Sequence, residues 1–274
     1  MESTTLKRHA YDIFKKDHKV FIEGHRGVNR ECYENTMNSF RQSVQYGLDS
    51  IELDVWLTKD KIPIIIHGGE DGFLFQQVAD IDEKIKASDL TYEELMKYNL
   101  KSKGKEKVPK LSEVLDLCKG KMFINIEMKD PNINETFAEV IKLLEEKDMI
   151  NQIAISSFRH EYHNLVEQYN QSHNHKLEFG YLYDSKADAK TFVPYNYNNS
   201  GSSMNIYQKD VTKEIVDKAH SNNIRVLVWF LMDDEENDDV YRKLFDDGID
   251  VLCCNEPKKA KDFVDTVYYK HIKF

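Results

Sequence analysis

The chain has 274 residues, 41% of them apolar, with 38 Lys and Arg against 48 Asp and Glu for a formal net charge of -10 at pH 7. That acidic balance argues against a general nucleic-acid binder, because no wide face is available to neutralise phosphates. No apolar stretch approaches the ~18 residues of a membrane span, and residues 1–16 carry charges throughout in place of the apolar core of a signal peptide. Cys32, Cys118, Cys253 and Cys254 show no Cys-x-x-Cys spacing and read as reduced thiols of a cytoplasmic protein.

Runs rich in β-branched residues predict strands over 20–23, 50–55, 62–66, 122–126, 153–156, 177–182, 203–206, 224–229 and 250–252. Helical patterns separate most of them. Phe137, Val140, Ile141 and Leu144 keep an i, i+3, i+4, i+7 stripe behind a capping candidate at Asn134, and Ala260, Phe263, Val264 and Val267 repeat it behind Pro257. Alternation of this kind at this length predicts an α/β fold, a TIM-type (β/α)8 barrel formed by one domain over 1–274.

Only residues 57–61 separate the second strand run from the third, too few for a parallel crossover, so these two are expected to form a hairpin. A turn centred between Lys59 and Asp60 sets His67 opposite Glu52, and a slip of one residue would turn His67 to the other face. Counting the hairpin as one barrel strand plus an arm reduces nine runs to eight. Residues 68–110 hold a Gly-rich turn, the capping box Thr91-Tyr92-Glu93-Glu94 and a charged loop at 101–107, and read as a small insertion over one end of the barrel. Residues 184–202, rich in Asn, Tyr and Ser, read as a long exposed loop.

Glu52 and Asp54 alternate along one strand and so share a face, opposite Leu53 and Val55. Two such carboxylates repel unless a cation lies between them. Glu127, at the end of a later strand, adds a third oxygen donor, and an all-carboxylate set favours Mg²⁺ or Ca²⁺ over zinc. The alternative is that all three form salt bridges with Lys or Arg at the strand ends.

His25 and His67 belong to different strand ends, where barrel enzymes gather catalytic groups. Imidazoles there could exchange protons with an attacking hydroxyl and a leaving oxygen, each role worth ~10²- to 10⁴-fold. Arg26 offers a planar fork for phosphate oxygens, with Gly24 and Gly27 allowing close backbone approach; its alternative is an ion pair with Glu34. Lys129 faces the same way as Glu127 and could neutralise a phosphoryl oxygen, and Trp229 could pack on a glycerol or alcohol group. His160, His163, His173 and His175 read as solvated surface.

Assembled in order, these residues give a pattern that resembles the glycerophosphodiester phosphodiesterase family. It runs through His25-Arg26-Gly27, Glu34-Asn35-Thr36, Ser39-Phe40, Gly47, Ile51-Glu52-Leu53-Asp54-Val55, Leu57-Thr58-Lys59-Asp60, Pro63 and His67. It continues at Pro109, Leu111, Glu113 and Leu115, then Asn125-Ile126-Glu127-Met128-Lys129, Ser156-Ser157-Phe158 and Val228-Trp229.

The resemblance implies a barrel whose Glu52, Asp54 and Glu127 bind a divalent cation, with His25 and His67 as acid and base in an order left open. It implies that Arg26 contacts phosphate with Lys129 nearby, and that Glu34 and Asn35 support the metal site. The chain departs from the family pattern at Gly68-Gly69-Glu70-Asp71-Gly72, at Tyr33 and at Cys254-Asn255-Glu256-Pro257, changes expected on the substrate side and bearing on the preferred alcohol.

The implied reaction is hydrolysis of a glycerophosphodiester to sn-glycerol 3-phosphate and an alcohol. One rival is a lysophospholipase D or sphingomyelinase D like enzyme acting on a lysophospholipid, with Phe73, Leu74 and Phe75 as its acyl groove. The other is a non-catalytic barrel that binds phosphate esters.

Overall fold

Strand β2 (Ser50–Leu57) shows how the sequence builds the molecule, with Ile51, Leu53 and Val55 on one side and Glu52 and Asp54 on the other, all eight residues buried. The apolar side packs against helices; the polar side faces the interior of a closed sheet. The structure, a computed structural model, describes residues 19–69, 71–173, 177–183 and 202–268. The long loop expected at 184–202 lies, apart from Ser202, outside the described residues, as do Glu70 and 174–175 of the histidine-rich turn.

The other strands are β1 (Phe21–Gly24), β3 (Pro63–Ile65), β4 (Phe123–Met128), β5 (Ile153–Ser157), β6 (Glu178–Leu182), β7 (Ser202–Tyr207), β8 (Arg225–Trp229) and β9 (Val251–Cys254). Their order is β1-β9-β8-β7-β6-β5-β4-β2-β3, and an added β1–β2 pairing closes eight parallel strands into a TIM-type barrel with β3 outside it. The helices are α1 (Met37–Tyr46), α2 (Tyr92–Leu95), α3 (Leu111–Cys118), α4 (Ile133–Glu146), α5 (Tyr162–His173), α6 (Lys213–Ser221), α7 (Asp238–Asp247) and α8 (Pro257–Phe263). Phe137, Val140, Ile141 and Leu144 on α4 join Ile51, Leu53, Ile124 and Ile126 in one apolar layer between barrel and helices.

Two helix details differ from expectation. Asn134 lies inside α4, whose cap position is Asn132, held by its N–H donating to Asp130 Oδ1 at 2.8 Å. Val267 is 39% exposed, because the chain leaves α8 after Phe263 through a wider turn that rotates the stripe outward.

The barrel interior is polar where bulky aliphatic layers are usual. Ser50 Oγ and Asn125 Nδ2 donate to the two oxygens of buried Glu23, at 2.8 and 3.1 Å, and Arg225 pairs with Glu178. Every member of this layer is hydrogen-bonded or ion-paired, which is what makes its burial tolerable.

The β2–β3 hairpin forms as expected, but its register is shifted by one residue, pairing Val55 with Ile65, Trp56 with Ile64 and Leu57 with Pro63. The turn is centred on Asp60: Thr58 N–H donates to Ile62 O at 3.1 Å, and Lys61 takes a left-handed φ of 63°. The shift follows from how the hairpin divides its apolar residues. Val55 and Ile65 enter the main core, while Trp56, Ile64 and Ile66 form a second cluster with Leu74, Val78, Leu95 and Val108 from the following segment.

His67 escapes the consequence of the slip because the ladder ends before it. Ile66 N–H makes a last bond to Asp54 O at 3.1 Å, and the chain then turns at Gly68 and Gly69, with φ of 67° and 63°. Trp56 fixes that turn by donating from its indole to His67 O at 3.1 Å. Gly72 lies against the same indole with φ of 79°, and a Cβ at this position would stand only 2.8 Å from the ring. Gly72→Ala should therefore lower stability by about 1–3 kcal/mol in urea unfolding; an unchanged midpoint would show that the indole is not fixed there.

Candidate active site

The C-terminal ends of β1, β2 and β4 bring the charged residues together, and the ends of β5 and β8 add an apolar wall. A cavity of about 600 Å³ opens between them, within the range typical of ligand sites. His25, Arg26, Glu52, His67, Glu127, Lys129 and Trp229 line it. Asp54, Glu34 and Asn35 stand behind this lining and hold it in place.

Arg26 sits in the turn after β1 with φ of 54°. Its backbone N–H donates to Glu52 Oε2 at 2.9 Å, its Nη1 donates to Glu34 Oε2 at 2.9 Å, and its Nε lies 3.4 Å from Asp54 Oδ2. Glu34 thus pairs with Arg26 while Arg26 also borders the cavity. Asn35 donates from Nδ2 to Asp54 Oδ2 at 2.7 Å, and its own N–H donates to Arg26 O at 3.1 Å. The glycines play a different part from the one expected: Gly27 N–H donates to Gly24 O at 3.1 Å, and a Cβ on Gly24 would stand 2.6 Å from Gly27 O. They permit the chain to approach itself.

One oxygen from each of Glu52, Asp54 and Glu127 lies within 4.8 Å of the others. Lys129 Nζ reaches Glu127 at 3.0 Å and Asp54 at 3.4 Å, so salt bridges account for part of the cluster. They do not account for Glu52, whose Oε1 is buried without a hydrogen-bond partner. With every carboxyl ionised, Glu34 included, the four would exceed the two cations Arg26 and Lys129 by two charges, which one divalent ion would supply. Hard oxygen donors, the unpartnered oxygen of Glu52 and that deficit all fit Mg²⁺ or Ca²⁺.

Titration follows the same geometry. Burial, with Asp54 and Glu127 nearby, raises the Glu52 carboxyl well above its ordinary range, and burial raises Glu127 as well. Burial acts on Asp54 in the same sense, but Lys129 and Arg26 overcome it and hold this carboxyl below the ordinary value. Burial pulls Lys129 down, and Glu127 with Asp54 more than restores it. Burial is also the main reason that both imidazoles are pushed down to about 3, Arg26 adding to the effect at His25 and Asp54 opposing it at His67.

Trp229 donates from Nε1 to Asn205 O at 3.3 Å and meets Phe158 edge to face at 6.3 Å between ring centres. Phe158 and Leu231, 47% and 42% exposed, flank the mouth. The residues expected to form an acyl groove do not line this cavity: Leu74 is fully buried in the Trp56 cluster, Lys86 lies 4.6 Å from the centre of the Phe73 ring, and Phe75 is exposed. His160 is also not solvated; it packs on Tyr181 and Tyr183 and meets Leu182 O at 2.9 Å.

Sequence reading placed Asn255 only among changes on the substrate side and passed over Arg159. Asn255 Oδ1 lies 2.9 Å from His25 Nδ1, so this departure from the family pattern touches a catalytic candidate as well as the substrate side. Its signal was available, since Asn255 follows β9 as His25 follows β1. Arg159 lines the cavity and donates from Nε to Lys129 O at 3.2 Å.

The model of the glycerophosphoryl diester phosphodiesterase family matches residues 25–259. The glycerophosphodiester phosphodiesterase of Caldanaerobacter subterraneus is 26% identical over 90% of this chain and 98% of its own. That of Bacillus altitudinis is 28% identical over 88% and 96%. Among solved structures, glycerophosphodiester phosphodiesterase from Thermotoga maritima superimposes with a TM-score of 0.67 at 24% identity, covering 88% of this chain and 97% of its own. An Oleispira antarctica phosphodiesterase in complex with the product sn-glycerol-3-phosphate gives 0.72 at 22% identity, over 90% and 97%.

The raised carboxyls of Glu52 and Glu127 retain protons in the folded chain that the unfolded chain sheds above about pH 4.5. Their contribution to stability therefore falls as pH rises past that value, and a bound cation reverses the loss. The lowered imidazoles act in the opposite sense, so the informative quantity is the increment caused by the cation. Adding Mg²⁺ or Ca²⁺ at about 100-fold over Kd should stabilise the protein by about 2.7 kcal/mol at pH 8 and by less at pH 5. Glu52→Gln should remove most of the increment; absence of any cation-dependent rise in melting temperature at pH 8 would dismiss the metal assignment.

Proposed function

The chain belongs to the glycerophosphoryl diester phosphodiesterase family, and from that premise we propose that it cleaves glycerophosphodiesters to sn-glycerol 3-phosphate and an alcohol. The observation that carries the reading is the meeting of two imidazoles and two cations in one cavity with a cluster of three carboxyls, two of them in its lining and Asp54 just behind. Relatives that bear the name glycerophosphodiester phosphodiesterase along nearly their whole length support it, as does the product bound in the Oleispira antarctica phosphodiesterase.

Glu52, Asp54 and Glu127 would hold Mg²⁺ or Ca²⁺, which when bound supplies positive charge for a non-bridging phosphate oxygen. Arg26 and Lys129 offer their charge to the remaining phosphoryl oxygens, where negative charge grows as the bond breaks. Glu34 and Asn35 keep Arg26 and Asp54 in place, and Trp229 packs on the glycerol carbons. One imidazole takes the proton of the glycerol 2-hydroxyl, whose oxygen attacks phosphorus. The other gives a proton to the departing alcohol, and water then opens the cyclic phosphate.

The acid must carry a proton, whereas the pocket without substrate holds both imidazoles neutral. The negative diester resolves this, because its charge beside an imidazole favours the protonated form. Catalysis by this route charges the acid only when substrate is present. The four cysteines are free thiols, which supports a reducing compartment such as the cytoplasm. Among the described residues, no helix is long and apolar enough to cross a membrane.

A second reading, a lysophospholipid as substrate in the manner of a lysophospholipase D or sphingomyelinase D, draws support from Phe158, Trp229 and Leu231 at the mouth. A binder without turnover is disfavoured by retention of the full acid/base and cationic set. Incubating the protein with glycerophosphodiesters and lysophospholipids, with each cation or EDTA, and reading products by phosphorus NMR separates the three. Cation-dependent release of sn-glycerol 3-phosphate is expected, with higher turnover on the deacylated substrates; faster turnover of lysophosphatidylcholine would favour the second reading, and no turnover the third. His25→Ala and His67→Ala should each lower the rate by ~10²- to 10⁴-fold with unchanged circular dichroism; a near-normal rate would remove that residue from the mechanism.

A further inference from the structure

Asn255 is fully buried one residue beyond β9, and its amide is locked in one orientation. Nδ2 donates to Leu231 O at 2.9 Å, and Oδ1 accepts from Asn29 Nδ2 at 2.8 Å. Asn29 Nδ2 in turn donates to His25 O at 2.8 Å. Backbone carbonyls only accept, so Leu231 O and His25 O each demand the nitrogen end of the amide that faces them. Flipping Asn29 would set its oxygen against two other acceptors, and flipping Asn255 would set oxygen against oxygen at Leu231. The oxygen of Asn255 therefore faces His25 Nδ1, at 2.9 Å.

An amide oxygen can only accept, so Nδ1 of His25 must bear the hydrogen. In the neutral ring Nε2 is then the bare nitrogen, and it has no hydrogen-bond partner among the described residues. Asn255 is itself held from behind, its N–H donating to Glu236 Oε1 at 2.9 Å, while Tyr241 and the Glu256 N–H bond the other oxygen of Glu236.

We infer that Asn255 is a positioning residue that holds His25 as the Nδ1–H tautomer, leaving Nε2 as the atom that exchanges a proton with substrate. The kinetic half of this inference rests on the proposed phosphodiester cleavage; the tautomer does not. Asn255 orients the ring without adding a negative charge, unlike the carboxylate that often holds a catalytic histidine. Its second bond, to Leu231, ties His25 to the loop that forms the apolar side of the mouth.

The test reads the ring directly in the intact protein. Long-range ¹H–¹⁵N spectra at pH 8, with His25→Ala to assign the signals, should show His25 protonated on Nδ1. Asn255→Ala should lower kcat by about 10²-fold, the loss expected of a misplaced catalytic group, with KM within about twofold. Asn255→Asp keeps an acceptor for Nδ1–H and should recover kcat to within about tenfold of the parent.

An Nε2–H tautomer in the parent would overturn the inference, as would a kcat for Asn255→Ala within about twofold of the parent, a loss confined to KM, or Asn255→Asp as slow as Asn255→Ala. Should Asn255→Ala fail to fold, the parent tautomer and the rate of Asn255→Asp decide the matter. Failure of the proposed function would appear as absence of turnover in the parent, with the tautomer still measurable.

Discussion

Carboxyl groups that outnumber their cations at the mouth of a closed barrel are the constraint around which the molecule is arranged. Glu34, Glu52, Asp54 and Glu127 crowd against Arg26 and Lys129 where water is largely excluded, and the cations satisfy Asp54 and Glu127 while leaving Glu52 without an ionic partner. Burying carboxylates so close together costs several kcal/mol per ion unless something balances them. The arrangement persists because the surrounding bonds over-determine it: Asn35 grips Asp54, the backbone of Arg26 grips Glu52, and the Gly24–Gly27 turn fixes Arg26. A site prepared in this way would take the proposed cation with little rearrangement.

The fold supplies that rigidity. A parallel barrel delivers residues from separate strands to one rim, and here His25, Glu52 and Glu127 arrive from three strands that are neighbours in the sheet order, β1, β2 and β4. The apolar arc of Phe158, Trp229 and Leu231 comes from β5 and β8, across the cavity. Apart from Arg159 beside Phe158, the charged residues lie on the β1, β2 and β4 side of the cavity. The polar interior below, around Glu23 and Asn125, continues the same hydrogen-bonded character down the barrel.

His67 reaches the rim by another route. It is carried by a hairpin arm outside the barrel, and its position depends on the second apolar cluster gathered round Trp56. The segment between β3 and α3 therefore contributes to the site through packing: its side chains bury the indole, and the indole holds the backbone of His67. Displacing the aromatic ring would move an imidazole from a distance.

Periodicity and spacing carried much of this structure. Alternation of β-branched runs with helical stripes announced a closed α/β sheet, because a strand with one apolar face leaves a pattern of period 2 and a helix with one apolar face leaves a pattern near 3.6. The positions of Glu52 with Asp54, and of Glu127 with Lys129, were legible because strand parity decides which neighbours share a face. Tertiary packing decided what such local rules cannot see. The hairpin register shifted because Trp56 and Ile64 had to enter one cluster and Val55 and Ile65 another, a division that exists only once the following segment folds. Asn255 and His25 are 230 positions apart, and their hydrogen bond arises only when β9 closes the barrel against β1, since contact between distant residues is a property of the closed sheet.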